Sequence, residues 1–351
     1  DRLTDCKVVQ NLARNNGYTA YGIRLVSSSN VSLMGNRASG NKYGIVVQFS
    51  EDCQISQNNA SNNHGMGIWP KFCEKCTIAE NIACNNGFYG IEPEDSHNCV
   101  ISGNNVSNNG LYGIWLLGAL DTCDNHTVKS NHFEKNKAGI CLRNSSFNLI
   151  YHNNFIQNEH QAVVRDSIGN IWNTDFEGNY WSDYKGFDAD YNGVGDTLYQ
   201  IDEDNTDYHP LMGMFSRLKT SQGRHVELTS NSTITDLEIF GSNRTVRIHV
   251  LDVSASRPVG FCRMSLPKDL LSPPFSVEIK DGSTEIVYLN ESVFDNGTHR
   301  WVYVAYREPT HQKDLIPIIL IASLSVAVML IAASFLKRRQ RRNKNDLEAK
   351  V

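Results

Sequence analysis

The chain has 351 residues, of which 40% are hydrophobic and 20% are charged, and its formal net charge is −5. This length suffices for two or three domains. The last 15 residues hold seven Lys or Arg against two Asp or Glu, which leaves the rest of the chain distinctly acidic. An acidic chain of this kind excludes nucleic acid as an expected partner.

A repeat with a period of 23 residues organises residues 31–116, and its Gly-Ile pairs begin at Gly44, Gly67, Gly90 and Gly113. Between the pairs, apolar residues alternate with polar ones, which is typical of a β-solenoid and not of helical repeats. Weaker copies flank the repeat, and Cys6 already stands in register, so we expect further coils or a secretion signal upstream. We predict a parallel β-helix over residues 1–175, whose coils lie about 4.8 Å apart in a rod roughly 34 Å long.

Two columns of equivalent residues run through the coils. Asparagine recurs once per coil at a turn, where it tolerates left-handed backbone and bonds its neighbours, which predicts a stacked amide ladder with a scaffold role. The members of this ladder are Asn36, Asn58, Asn81, Asn104, Asn131 and Asn153. The column five residues earlier includes Cys53, Cys76 and Cys99, and alternation places these thiols in the core. Neighbouring coils also bring Cys53 and Cys76, or Cys76 and Cys99, within disulfide range.

The period is lost after Asn153, and residues 176–218 are predicted to close the solenoid, which otherwise exposes a sheet edge and an apolar end. The aromatic residues expected to cap the core are Phe176, Tyr180, Trp181 and Tyr184.

The same segment contains an acidic stretch that matches five positions of a calcium-binding loop. The matching residues are Asp188, Asp190, Asn192, Gly193 and Asp196. Tyr199 replaces the bidentate Glu of an EF-hand, and Asp202 and Asp204 can substitute for it in a looser loop. We predict Ca²⁺ binding here, and the alternative is a turn that binds nothing.

The repeat, followed by Gly178-Asn179-Tyr180-Trp181-Ser182-Asp183-Tyr184 and the acidic segment, resembles the NosD-like family of right-handed parallel β-helix proteins, especially archaeal surface members. The resemblance covers about residues 1–212 and implies copper handling for nitrous oxide reductase maturation. The candidate copper ligands would be Cys73, Cys76, Cys84, Cys99, His126 and Met66. Copper is not expected, because no second Cys-x-x-Cys motif or paired His completes a ligand set.

The C-terminal part predicts a stalk, an anchor and a tail. Residues 219–308 alternate as about six short strands, which indicates a small β-sandwich. Residues 309–336 contain a linker and an uncharged apolar segment, from 315 onward, that is long enough to cross a bilayer as a helix. The basic tail at 337–351 is expected in the cytoplasm and everything before the helix outside. The glycosylation candidates, all on the outer side, are Asn30, Asn125, Asn144, Asn231, Asn243, Asn290 and Asn296.

A column on the outer face suggests a binding function. If each Gly-Ile isoleucine faces the core, the next residue faces outward, which gives Arg24, Val46, Trp69, Glu92, Trp115 and Cys141. Trp69 and Trp115, roughly 10 Å apart with Glu92 between them, would form an aromatic, hydrogen-bonding face suited to carbohydrate. The alternative is that both tryptophans lie beneath a loop or a neighbouring domain.

We therefore predict a membrane-anchored cell-surface glycoprotein that binds carbohydrate or surface-layer proteins. A NosD-like copper-binding accessory protein is the first alternative, and a polysaccharide-active enzyme is the second. No catalytic residue is predicted, because the paired carboxylates and signature motifs of β-helix glycosidases are absent from the coils.

Overall fold

The structure is a computed structural model that describes residues 3–220, 223–240, 244–252, 259–270, 274, 276–280 and 285–307. Every regular element in these ranges is a β-strand, and none is a helix able to span a membrane. The strands are β1 (Lys7–Val9), β2 (Leu12–Val26), β3 (Ser32–Met34), β4 (Arg37–Gln48), β5 (Gln54–Ser56), β6 (Ile68–Lys71), β7 (Thr77–Ala79), β8 (Val100–Ser102), β9 (Asn105–Ser107), β10 (Tyr112–Leu117), β11 (Thr127–Lys129), β12 (His132–Glu134), β13 (Ala138–Arg143), β14 (Leu149–Tyr151), β15 (Asn154–Ile156), β16 (His160–Arg165), β17 (Tyr180–Trp181), β18 (Tyr199–Gln200), β19 (Thr206–Asp207), β20 (Met214–Lys219), β21 (His225–Ser230), β22 (Thr233–Phe240), β23 (Thr245–Asp252), β24 (Gly260–Pro267), β25 (Ser276–Lys280), β26 (Glu285–Asp295) and β27 (His299–Arg307).

The first part of the chain is a solenoid of parallel strands. One sheet takes one strand from each coil, in the order β1, β3, β5, β7, β8, β11, β14. A second face runs through β2, β4 and β6, continues across bridges between Ile68, Ile91 and Ile114, and ends with β10, β13 and β16. A third row contains β9, β12, β15 and β17. Equivalent apolar residues such as Ile78 and Ile101 fill a single core. The predicted parallel β-helix is confirmed.

The predicted asparagine ladder is present as a continuous chain of amide hydrogen bonds. Asn81 Nδ2 donates to Asn104 Oδ1 at 2.9 Å and to the carbonyl of Ile55 at 2.8 Å. Asn81 Oδ1 accepts from both the backbone nitrogen and Nδ2 of Asn58. A second ladder, which the sequence pattern did not single out, lies five residues later and consists of Asn16, Asn41, Asn63, Asn86, Asn109, Asn136 and Asn158.

Asn81→Ala is expected to destabilise the solenoid by roughly 2–4 kcal/mol, because it leaves buried donors and acceptors on two neighbouring coils without partners. Urea unfolding followed by circular dichroism measures the loss. The matched control is Asn11→Ala, at the exposed end of the same ladder, where the side chain only donates to Asn36 Oδ1 and to the carbonyl of Val9. Equal midpoints for the two variants would contradict a structural role for the ladder.

The closing segment extends the core with stacked aromatic rings. Phe155 stacks on Trp181 with ring centroids 4.3 Å apart, and Trp181 stacks on Tyr199 at 4.3 Å. Asp207 ends the asparagine ladder, because its Oδ2 accepts from the backbone nitrogen of Asn179 at 2.7 Å and from Trp181 Nε1 at 2.9 Å. Trp181 therefore caps the core as predicted.

Phe176 does not cap the core. Its side chain is exposed, and its ring lies 4.3 Å from that of Phe294 in β26. The tight turn at residues 174–177, closed by Thr174, points Phe176 away from the coils.

The second part of the described chain contains two sheets that share one core. One sheet has the order β20, β21, β24, β27, β26, with antiparallel neighbours, and the other has the order β22, β23, β25. Residues from both sheets, among them Leu237, Ile248 and Met264, pack together as in a sandwich. The six predicted strands correspond to β22 to β27, whereas β20 and β21 were not predicted from the sequence.

The predicted anchor and tail lie outside the described residues, as does the glycosylation candidate Asn243. The other candidates fall into two groups. Those that the structure leaves exposed are Asn30, Asn125, Asn144 and Asn296, whereas Asn231 and Asn290 are half-buried.

Candidate functional site

The residues that follow the three isoleucines of the second face lie side by side outside the core. The bridges from Ile68 to Ile91 and from Ile91 to Ile114 place Glu92 directly between Trp69 and Trp115. The isoleucines belong to the core cluster, whereas the two tryptophans and the glutamate do not. The outward register agrees with the alternation in the sequence.

Glu92 is nevertheless not the exposed carboxylate that this register suggests. Its side chain is only 2% exposed, because bulky aromatic neighbours cover it, and its Oε2 has no hydrogen-bond partner. Burial, reinforced by the charge of Glu94 and opposed by Lys71, raises the pKa of Glu92 to about 9. Glu92 is therefore a neutral acid at pH 7 and offers an O–H donor.

Glu94, two residues further along the chain, differs from Glu92 because both of its carboxylate oxygens have partners. It forms an ion pair with Lys71, with 2.5 Å between Nζ and Oε1, and its Oε2 accepts from Trp69 Nε1 at 2.9 Å. The Lys71 ammonium also lies 5.6 Å from the Trp69 ring centroid. These contacts hold Trp69 in a half-buried position.

Trp115 completes the row without such a partner. Its Nε1 is buried and makes no hydrogen bond, so an indole donor and the Glu92 oxygen both stand unpaired on adjacent coils. Buried polar atoms are normally paired, and two orphans at neighbouring positions indicate a place where a polar ligand or water completes the bonds.

A column of tyrosines beside this row was missed in the sequence. Tyr43 contacts Trp69 with ring centroids 5.2 Å apart, and Tyr89 and Tyr112 contact Trp115 at 4.7 and 5.7 Å. Each tyrosine immediately precedes the glycine of a Gly-Ile pair, so the repeat alignment itself contained the signal. Tyr89 is close to Glu92, because burial, followed by the Glu92 charge, raises the pKa of Tyr89.

An enlarged coil borders the row. The spacing between equivalent ladder residues is 23 from Asn81 to Asn104 but 27 from Asn104 to Asn131. The added residues turn over Asp95, whose Oδ1 accepts three backbone N–H groups at 2.7, 2.8 and 3.0 Å while Oδ2 stays unpaired. The aromatic face thus ends at a loop held by a buried carboxylate.

The cysteine column lies in the core as predicted, and all nine cysteines are free thiols, so neither proposed disulfide is formed. Cys53 Sγ contacts the carbonyl of Glu51 at 3.3 Å, and Cys99 Sγ that of His97 at 3.3 Å. Cys123 Sγ lies 3.2 Å from Nε2 of His126.

The predicted calcium loop is held by hydrogen bonds within itself. Asp188 accepts from the backbone nitrogens of Asn192 and Gly193 at 3.0 and 2.8 Å, and Asp196 accepts from that of Ala189 at 2.6 Å. Asn192 Nδ2 donates to Asp190 at 2.8 Å. Burial raises the pKa of Asp188 to about 6. Ca²⁺ binding by this loop stays a prediction.

Comparison with known families decides the relationship that the repeat suggested. The family model described as periplasmic copper-binding protein (NosD) matches residues 2–186, more than half of the chain. The chain belongs to the NosD family. The matched region includes the whole aromatic face and the thiol column.

Two NosD proteins, each described as a probable ABC transporter binding protein, are similar over a shorter segment. The protein from Stutzerimonas stutzeri is 42% identical over 83 residues, and that from Pseudomonas aeruginosa is 41% identical over 81 residues. Each match covers 23% of this chain and 19% of the relative. The chain therefore matches about a fifth of the length of these relatives.

The solved structures that the chain matches include an alginate epimerase and a tailspike protein. A double mutant of the periplasmic alginate epimerase AlgG has a TM-score of 0.41 at 17% identity, over 48% of this chain and 46% of that chain. The Dettilon tailspike protein has a TM-score of 0.41 at 14% identity, over 87% of this chain and 73% of that chain.

The family description raises the question of whether the thiols fit copper. Thiolates bind copper. The contact between Cys53 and Cys76 lowers the pKa of Cys53 to about 7 and raises that of Cys76, and burial raises the pKa of Cys123. Cys84 lies apart beside Asn105, and Met66 lies outside the core. In the described ranges, no group of three or more His, Cys, Asp or Glu side chains is arranged to hold a metal ion.

Proposed function

We propose that this NosD-family chain is an extracytoplasmic glycan-binding protein, anchored in the membrane by its predicted C-terminal helix, and that it binds through the face around Trp69, Glu92 and Trp115. The periplasmic description of the family supports a location outside the cytoplasm. The observation that carries the proposal is the pair of buried, unpartnered atoms, Glu92 Oε2 and Trp115 Nε1, in a row whose two tryptophans are half-buried.

Sugars fit this combination of groups. Their C–H faces stack on aromatic rings, and their hydroxyl groups both donate and accept hydrogen bonds. A hydroxyl can accept from Trp115 Nε1, and another can bond the neutral Glu92 carboxyl. An apolar ligand would leave both atoms unpaired and would not recover the roughly 1–3 kcal/mol that each unpaired atom costs the protein.

The test compares the full chain with the variant Trp69→Ala/Trp115→Ala on a glycan array. We expect at least about tenfold weaker binding to any glycan that the wild type binds, because two stacking surfaces are removed. Tyr208→Ala is the matched control, since Tyr208 is an exposed aromatic residue of the closing segment. Thermal unfolding verifies that each variant is folded. The proposal fails if the wild type binds no glycan, or if the folded double variant binds as well as the control.

A further inference from the structure

Two arginines stand together beyond the aromatic face. Arg143 and Arg165 are direct partners in the parallel strands β13 and β16, and both are exposed. Neither guanidinium makes an ion pair or a side-chain hydrogen bond within the described part of the chain. The backbone positions of the two arginines lie about 4.8 Å apart along the sheet, and neither charge is compensated by a partner in the described residues.

This arrangement is unfavourable for the protein alone. Like charges directly opposite each other in neighbouring strands destabilise a sheet, and this chain is otherwise acidic, with a net charge of −5. An anion between the two guanidinium groups would remove the repulsion and accept paired N–H bonds from each of them.

The arginine pair borders the aromatic face. In the register of β10 and β13, Trp115 is the partner of Cys141, and Arg143 lies two residues beyond Cys141 in the same strand. Burial raises the pKa of the Cys141 thiol to about 11, and the charges of Arg165 and Arg143 act in the opposite direction and lower it. Both arginines are therefore close to Cys141. The backbone positions of Trp115 and Arg143 are thus roughly 8 Å apart, within the span of one sugar and its substituents.

We propose that the ligand of the aromatic face is an acidic glycan, and that Arg143 and Arg165 bind one of its carboxylate or sulfate groups. This inference rests on the proposed function, since it assigns the charge of the same ligand. The glycan would run along the solenoid axis, with sugar rings on Trp69 and Trp115 and an anionic group at the arginines. Because Glu92 is neutral and Glu94 is paired with Lys71, the row between them presents little repulsion to such a chain.

The experiment measures binding of the full chain to four polymers by affinity electrophoresis. Polygalacturonate is compared with its methyl ester, and dextran sulfate with dextran, so that each acidic polymer has a neutral counterpart. We expect at least one acidic polymer to bind about tenfold or more tightly than its counterpart, and added salt to weaken this binding. Arg143→Gln/Arg165→Gln should remove the difference within the pair. Arg37→Gln, at an exposed arginine in the column after the ladder asparagines, should not.

The outcomes separate the two proposals. If neutral and acidic polymers bind equally and only the tryptophan variant weakens binding, the acidic-ligand inference is wrong while glycan binding stands. If the acidic polymers bind better but the arginine variant keeps the difference, the arginine site is wrong. If the wild type binds none of the four polymers, both proposals are contradicted. Both arginines are exposed, so their replacement should leave the thermal unfolding midpoint unchanged. An unchanged midpoint shows that any difference in binding is not caused by unfolding of the variant.

Discussion

Glu92→Gln is expected to make the protein more stable at neutral pH, by on the order of 3 kcal/mol at pH 7. The folded protein holds the pKa of Glu92 at about 9, against an ordinary value of 4.5, because its carboxyl is buried. A raised pKa in the folded state gives stability that is fully present below pH 4.5 and is lost as the pH rises to about 9. Glutamine has nearly the same shape and never ionises, so the variant avoids this loss.

The measurement is thermal unfolding of both proteins at pH 4, 7 and 9. Midpoints should coincide at pH 4, and the variant should unfold roughly 6–12 °C higher at pH 7, with a larger gap at pH 9. Glu159→Gln is the control at an exposed carboxyl, where no gap is expected. A variant less stable than the wild type at pH 7 would show that Glu92 is ionised and satisfied in the folded protein.

The same variant separates stability from binding. Because the glutamine amide still offers a donor where the protonated carboxyl did, glycan binding at pH 7 should persist. The protein keeps a buried acid that lowers its stability. Binding sites commonly carry such a loss of stability, which is consistent with a role of Glu92 in recognition.

Much of this site could be predicted from the sequence, and the reason is the repeat. A fixed period makes register certain, so alternation placed Trp69, Glu92 and Trp115 on one outer row and the thiols in the core. The asparagine ladder followed from the same period. The predicted parallel β-helix and most strands of the sandwich likewise follow from local alternation.

What the sequence did not reveal depends on side-chain packing between columns. The outward register implied that Glu92 is exposed, but Tyr89 and the flanking tryptophans cover it. Whether neighbouring side chains cover a residue depends on their directions, which the spacing in the sequence does not specify. The arginine pair was overlooked for a different reason. The coil before it is enlarged, and the spacing of the repeat is irregular there. The position of Phe176 was also wrong, because the segment after Asn153 has no period to fix its register.

The contact between the closing segment and the sandwich was equally beyond the sequence pattern. Glu177 and Arg263 are 86 residues apart, and their side chains form a buried ion pair. His152 Nε2 lies 2.9 Å from the other oxygen of Glu177. Burial alone would raise the pKa of Glu177, but the hydrogen bond from His152 and the charge of Arg263 outweigh it and hold the value at about 2. Glu177 is therefore a carboxylate at physiological pH, buried and dependent on its partners.

Arg263→Met is expected to destabilise the protein by roughly 3–5 kcal/mol, because it removes the partner of a buried charge while keeping most of the side-chain volume. Urea unfolding at pH 7 measures the loss. The double variant Arg263→Met/Glu177→Gln should recover a large part of it, since no buried charge then lacks a partner. Arg224→Met is the matched control, because Arg224 pairs with Asp269 at the surface, where an ion pair contributes about 0–1 kcal/mol.

The pH dependence gives an independent check of the same pair. A pKa lowered from 4.5 to about 2 in the folded state contributes stability that is present above pH 4.5 and is lost as the pH falls toward 2. The wild type should therefore lose stability between these values, and Glu177→Gln should flatten that part of the curve. If Arg263→Met matches the surface control and Glu177→Gln leaves the acid limb unchanged, the solenoid and the sandwich are not joined by this ion pair, and their contact depends on apolar packing such as that between Phe176 and Phe294.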